Sequence, residues 1–182
     1  MGTADLLTFL KIVGRLKHIR RTGWVEAGVP DPESVADHVY RTVLLSMVLA
    51  DTRGLDASKA VRMALLHDLP EAVTGDLTPR QKPRDHAAAE ANAFHKVIGG
   101  LAEKQRSLYS ELFSEYQEGR TSEAALVHAA DKLDMVLQAY EYQENGVEPE
   151  KLGPFWEVDL PEEYGTLLAA LKELRVDRIS IQ

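Results

Sequence analysis

Apolar residues recur at three- and four-residue intervals along nearly the whole chain, and β-branched alternation is nearly absent. From Ala4 to about Ile19 they fall at Leu6, Leu7, Leu10, Val13 and Leu16, the spacing of an amphipathic helix. The same pattern predicts helices over about 32–52, from Asp56 to His67-Asp68, and over 84–101, 104–118, 122–145 and 162–174, with a short helical turn within 149–156. Asp31 before Pro32 reads as an N-cap with proline at the first helical position, and Asp56 as the cap of the third helix. Gly119 and Gly146 read as stops. Only Arg178 to Gln182 hints at a strand, and one strand cannot make a sheet. The expectation is an all-α, compact, single domain over 1–182 with its core in about 5–175.

Residues 65–76, Leu-Leu-His-Asp-Leu-Pro-Glu-Ala-Val-Thr-Gly-Asp, interrupt this regularity. The apolar run Val61 to Leu66 delivers His67 and Asp68 side by side; Pro70 then breaks the helix, and Glu71 and Asp76 follow. Ala64, Leu65 and Leu66 point to a buried helix end, where an ionised carboxylate needs a partner. No lysine or arginine lies between Arg62 and Arg80 to supply one. An imidazole and three carboxylates placed so are costly to bury without a cation. The chain has no cysteine, so a metal would be held by nitrogen and oxygen.

Two more residues extend the set. His38 is flanked at helical spacing by Val35, Thr42 and Leu45, a setting that by itself reads as a core histidine. Asp131 has Val127 and Met135 four residues to either side. A carboxylate on such a face calls for a buried arginine or a metal. His38, His67, Asp68 and Asp131 together suit Mn²⁺, Fe²⁺, Co²⁺, Ni²⁺ or Zn²⁺ and leave coordination positions for water and substrate. Glu71 reads as a general acid or base, or as a first-turn carboxylate after Pro70. Asp76 after Gly75, taken alone, is a turn residue. Arg21 and Trp24 offer a cation and a flat surface, a pairing that suits a nucleotide but also a helix end and a packed loop.

A formal charge of −8 argues against a general nucleic-acid backbone binder, while leaving local positives at Lys17, Arg20, Arg21, Arg80, Lys82 and Arg84. No apolar run approaches the length of a membrane span, and the N-terminus lacks a secretory pattern. A cytoplasmic protein is expected.

The pattern H…HD…D resembles the HD-domain metal-dependent phosphohydrolase superfamily. Within it, Arg20-Arg21-Thr22-Gly23-Trp24, Glu33-Ser34-Val35-Ala36-Asp37-His38, His67-Asp68-Leu69-Pro70-Glu71, Thr74-Gly75-Asp76-Leu77, Ala130-Asp131-Lys132-Leu133-Asp134 and Gln138-Ala139-Tyr140-Glu141-Tyr142 resemble the HD-domain 5′-deoxynucleotidases, in that family's order. The resemblance implies removal of the 5′-phosphate from deoxyribonucleoside monophosphates with Mn²⁺, Co²⁺ or Mg²⁺. It assigns His38, His67, Asp68 and Asp131 to the main metal, and Glu71, Asp76 and the Leu77 carbonyl to a second ion or its waters. Glu71 and Asp76 fall in the catalytic group; Arg21, Trp24 and Thr78 fall among the substrate contacts. Some bacterial members place the tryptophan directly after the arginine, whereas Thr22-Gly23 intervenes here. A homodimer is expected. The alternatives are an HD hydrolase of nucleoside triphosphates, cyclic nucleotides or oligophosphates, and a non-catalytic, metal-stabilised interaction domain.

Overall fold

The computed structural model describes residues 2–179. Its helices are α1 (Thr3–Val13), α2 (Thr22–Glu26), α3 (Val35–Arg53), α4 (Ala57–Leu66), α5 (Glu71–Thr74), α6 (His86–Ile98), α7 (Glu103–Glu118), α8 (Ser122–Glu144), α9 (Pro149–Leu152) and α10 (Gly165–Ile179). Among the described residues there is no strand, only an isolated antiparallel bridge between Arg20 and Ser34. The fold is all-α.

Helix α3 packs along both α4 and α8, α7 closes on α4 and α8, and α10 lies on α8. Small side chains permit the close approach: Ala50, Ala60, Ala64, Ala124 and Ala130 are fully buried. Val35, Met63, Phe94, Leu126, Val127 and Val136 fill the space between them. Burying each of the larger side chains contributes about 1.5–3 kcal/mol. Against this apolar background His38, Thr42 and Ser46 form a buried polar row along α3.

Helix α3 starts later than expected, and the reason matters for the site. Its N-cap is Ser34, not Asp31. The Ser34 Oγ accepts from the Asp37 amide at 3.2 Å, while the Asp37 carboxylate accepts from the Ser34 amide at 2.9 Å. This reciprocal box satisfies donors that Pro32 leaves unaddressed. The chain before Ser34 stays out of the helix: Arg20 pairs with Ser34, and the Val35 amide donates to the Ile19 carbonyl at 2.9 Å. The Arg21 amide donates to the Glu33 carbonyl at 3.1 Å. These bonds hold Arg21 beside the helix that carries His38.

The same tether shortens the first helix. It stops at Val13 and tightens into a 3₁₀ turn over Gly14–Lys17, so no helix runs through to Ile19. Leu6, Leu7 and Leu10 are exposed, and only Leu16 of the expected apolar set is buried. The other boundaries follow the sequence more closely. Asp56 caps α4 by accepting from the Lys59 amide at 3.0 Å, and α7 ends at Gly119 with φ 64°, a left-handed stop. At the C-terminus, helix α10 runs through Ile179 where a strand was hinted; Ser180 to Gln182 lie outside the described residues. Among the described residues no helix is long and apolar enough to cross a membrane.

Candidate metal centre

Helices α3, α4 and α8 bring the four expected residues together. His38 and His67 are buried, their rings 5.5 Å apart and edge to face. One ligand atom each of His38, His67 and Asp68 lies within 4.8 Å of the others. His38 Nε2 is 3.1 Å from Asp131 Oδ1 and 3.6 Å from Asp68 Oδ2, and His67 Nε2 is 3.2 Å from Asp68 Oδ2. Among the described residues no arginine pairs with Asp131.

Both imidazoles engage their other nitrogen. His38 Nδ1 meets Asp134 Oδ2 at 2.7 Å, and His67 Nδ1 meets the Ala64 carbonyl at 2.7 Å. Neither Nε2 makes a hydrogen bond, although both are buried. Burial alone works against a charged imidazole. In the metal-free chain, the Asp131 and Asp134 carboxylates beside its two nitrogens outweigh both burial and the Arg21 charge and push the His38 pKa up to about 10. Burial opposes ionisation of Asp131 too, but His38 and His67 bring it down to about 2. Two buried imidazole nitrogens and two carboxylates converge with a single cationic side chain, Arg21, beside Asp68, so full neutralisation there calls for added protons or a bound cation. The nitrogen and oxygen donor set fits a divalent metal.

A cation stands at the rim. Arg21 Nη1 lies 3.4 Å from Asp68 Oδ2 and 3.4 Å from Asp76 Oδ1. Burial would lower the guanidinium pKa, but Asp68, Asp131, Asp76 and Glu71 keep it firmly charged. Asp76 reaches this position through Gly75, whose φ of 75° turns the chain out of α5. The Asp76 carboxylate accepts from the Thr22 amide, and the Asp76 carbonyl accepts from Thr22 Oγ1 at 2.8 Å. Glu71, at the start of α5, keeps Oε2 buried without a hydrogen bond. Burial first, then Asp68 and Asp76, push its carboxyl pKa up to about 10.

A family model described as HD domain matches residues 13–165. The chain belongs to the HD-domain family. It is 40% identical over 149 residues to 5′-deoxynucleotidase HDDC2 of Dictyostelium discoideum, covering 77% of this chain and 78% of that protein. The corresponding protein of Homo sapiens is 39% identical over 158 residues, covering 86% of this chain and 77% of its own length. Among solved structures, a conserved hypothetical protein from Pyrococcus furiosus matches with a TM-score of 0.76 and 38% identity, over 93% of this chain and 98% of that one.

Other residues of this HD domain stand differently from the sequence reading. Trp24 does not offer a free aromatic face. It is 2% exposed, its ring 3.9 Å from that of Phe155 and 5.2 Å from that of Tyr142. Its Nε1 donates to Glu33 Oε1 at 2.9 Å. Thr22-Gly23 begins α2, and the indole packs inward against Phe155 and Tyr142, so the structure gives Trp24 a packing role in place of the open sugar platform expected. Thr78 donates its amide to Gln81 Oε1 at 3.2 Å and keeps Oγ1 buried and unpaired, but no hydrogen bond joins it to the cluster. Leu77 follows Asp76 in the same loop, with no hydrogen bond to its carbonyl among the described residues.

Four residues escaped sequence reasoning. Thr22 anchors Asp76. The ring of Tyr116, on α7, stands edge-on to His67 at 5.8 Å and stacks on His128 at 4.1 Å. Asp134, fully buried, and Arg41, partly exposed, form an ion pair behind His38. A signal for that pair was present: Asp131, Asp134, Gln138 and Glu141 share one face of α8, and Arg41 lies three residues after His38.

Proposed function

We propose that this HD domain is a metal-dependent phosphohydrolase that removes the 5′-phosphate from deoxyribonucleoside 5′-monophosphates. The observation that carries the reading is the convergence of His38, His67, Asp68 and Asp131, with both histidine Nε2 atoms unpaired and Arg21 at the rim. The names of the Dictyostelium and human relatives support the substrate class. His38, His67, Asp68 and Asp131 would hold the ion, with Mn²⁺, Co²⁺ or Mg²⁺ as the proposed choices. When bound, it supplies Lewis-acid polarisation and a water of lowered pKa.

The chain's own residues supply the rest. A phosphate monoester is a dianion, and Arg21 offers it a guanidinium already fixed by Asp68 and Asp76. Thr22 holds Asp76 and so keeps Arg21 from swinging outward. Glu71 holds a proton on its carboxyl at neutral pH in the metal-free chain. In this reading it gives that proton to the leaving 5′-oxygen as the phosphorus–oxygen bond breaks. A second ion at Glu71, Asp76 and the Leu77 carbonyl would compete with this role. The Asp76 carboxylate, already engaged by the Thr22 amide and Arg21, favours the proton-donor reading. Thr78, in the loop that follows Asp76, is the further substrate contact that the family resemblance proposes.

In this reading residues 1–182 act as one domain of a cytoplasmic homodimer. Tyr40, Leu44, Met47 and Val48 lie exposed on one face of α3, and that stripe is the proposed contact for a second copy. The function is tested by phosphate release from matched deoxy- and ribonucleoside monophosphates, triphosphates and cyclic nucleotides. Turnover confined to deoxynucleoside monophosphates supports it. Turnover confined to triphosphates or cyclic nucleotides replaces it with another HD hydrolase.

A further inference from the structure

Behind His38, away from Asp68 and Asp131, lies a chain of contacts that touches neither the proposed ion nor the substrate. Asp134 is completely buried. Its Oδ2 meets His38 Nδ1 at 2.7 Å, and its Oδ1 accepts from Arg41 Nε. The Arg41 guanidinium spends its other nitrogens on α8 as well: Nη1 donates to Glu141 Oε2 at 2.7 Å, and Nη2 donates to Gln138 Oε1 at 2.7 Å. One arginine from α3 is therefore held by three acceptors on successive turns of α8.

A buried aspartate with no counter-ion would be strongly disfavoured beside Asp131. Arg41 supplies that counter-ion while leaving Oδ2 free for the imidazole. A carboxylate at Nδ1 fixes the ring's rotation and favours the proton on Nδ1, so that once a metal displaces the proton on Nε2 its lone pair faces the cluster. His67 has only a neutral backbone carbonyl at the equivalent place, 2.7 Å from Nδ1. The two imidazoles are thus held by unequal partners, and only His38 carries an anionic one.

We infer that Asp134, braced by Arg41, Gln138 and Glu141, is a positioning residue that orients His38 and raises its basicity toward the metal. The inference rests on the proposed metal site. It assigns Asp134 to retention of the ion, not to the chemical step. Loss of such a partner to a ligating histidine typically lowers metal affinity by about 10–100-fold.

The test is Mn²⁺ titration calorimetry on metal-stripped protein, with folding of each variant checked by circular dichroism. Asp134→Ala is expected to weaken Mn²⁺ binding by about 10–100-fold. Asp134→Asn, which keeps an acceptor for Nδ1–H but loses the charge, is expected to fall between Asp134→Ala and the wild type. At saturating Mn²⁺ the kcat of both should recover most of the way, a split that a merely structural defect would not produce. Should the Asp134 variants fail to fold, Gln138→Ala and Glu141→Gln loosen the brace from its outer end and are expected to weaken Mn²⁺ binding a few-fold. His38→Ala is the reference. If it loses Mn²⁺ while the folded brace variants bind like wild type, the positioning role is overturned and the site stands. If His38→Ala also binds like wild type, the metal site itself is wrong.

Discussion

His38 and His67 face each other across 5.5 Å, each with Nδ1 committed to a partner outside the site and Nε2 buried without a hydrogen bond. Buried polar atoms are rarely left unpaired, and two on facing rings beside two carboxylates define a place for a cation. The first consequence concerns Asp68, which approaches both Nε2 atoms and Arg21. Asp68→Ala is expected to abolish Mn²⁺ binding and phosphate release together. A variant that retains full turnover would contradict the assignment.

Glu71 is expected to separate from the ligands in its behaviour. Glu71→Gln keeps the shape and the burial but has no acidic proton to give. It should leave Mn²⁺ affinity near wild type while kcat drops by about 10²–10⁴-fold, the range of general acid–base catalysis. Parallel loss of affinity and rate would instead make Glu71 a metal ligand.

Proton competition gives the third prediction. In the metal-free chain the His38 pKa is raised from 6.5 to about 10, so metal uptake must displace a proton. Affinity for Mn²⁺ is therefore expected to rise with pH until about 10, by up to about tenfold per unit for each proton released. The metal-free fold should behave oppositely. Its stabilisation by charged His38 is complete below the unfolded pKa of 6.5 and is lost as pH rises through about 10. Calorimetry in buffers of different ionisation enthalpy checks the proton release, and thermal melts of stripped protein check the stability. A pH-independent affinity would contradict the account.

Trp24 is expected to act on stability and not on sugar choice. Trp24→Phe removes the Nε1–H that satisfies Glu33 Oε1 in a part-buried setting. An acceptor left unpaired there costs about 1–3 kcal/mol, visible as a lowered Tm. The ratio of deoxy- to ribonucleotide turnover should not change. A selective gain of ribonucleotide activity would return the indole to the substrate.

The contrast between Trp24 and His67 shows where sequence reasoning reached its limit. His67, Asp68, Pro70, Glu71, Gly75 and Asp76 lie within one stretch, and proline and glycine mark its turns, so half of the cluster could be read from chain order. His38 and Asp131 sit among apolar neighbours at helical spacing, which by itself left a core histidine and a buried ion pair open; the resemblance to the HD-domain family joined them to the cluster. The orientation of Trp24 is set by Phe155 and Tyr142, far along the chain, and no local pattern carries that information. Asp134 and Arg41 have meaning only as a pair between α3 and α8, so each alone resembled an ordinary charged residue. Helix α1 shows the same limit: its spacing is regular, but hydrogen bonds linking 19–21 to 33–35 draw the following chain out of the helix.

The most direct test of the central claim is inorganic phosphate release from dAMP by metal-stripped protein before and after Mn²⁺ is restored, with AMP in parallel. The account predicts no release without metal, recovery with Mn²⁺ on dAMP, and little or none on AMP. Undiminished release from the stripped protein, or none on either substrate from folded protein reloaded with Mn²⁺, Co²⁺ or Mg²⁺, would contradict it.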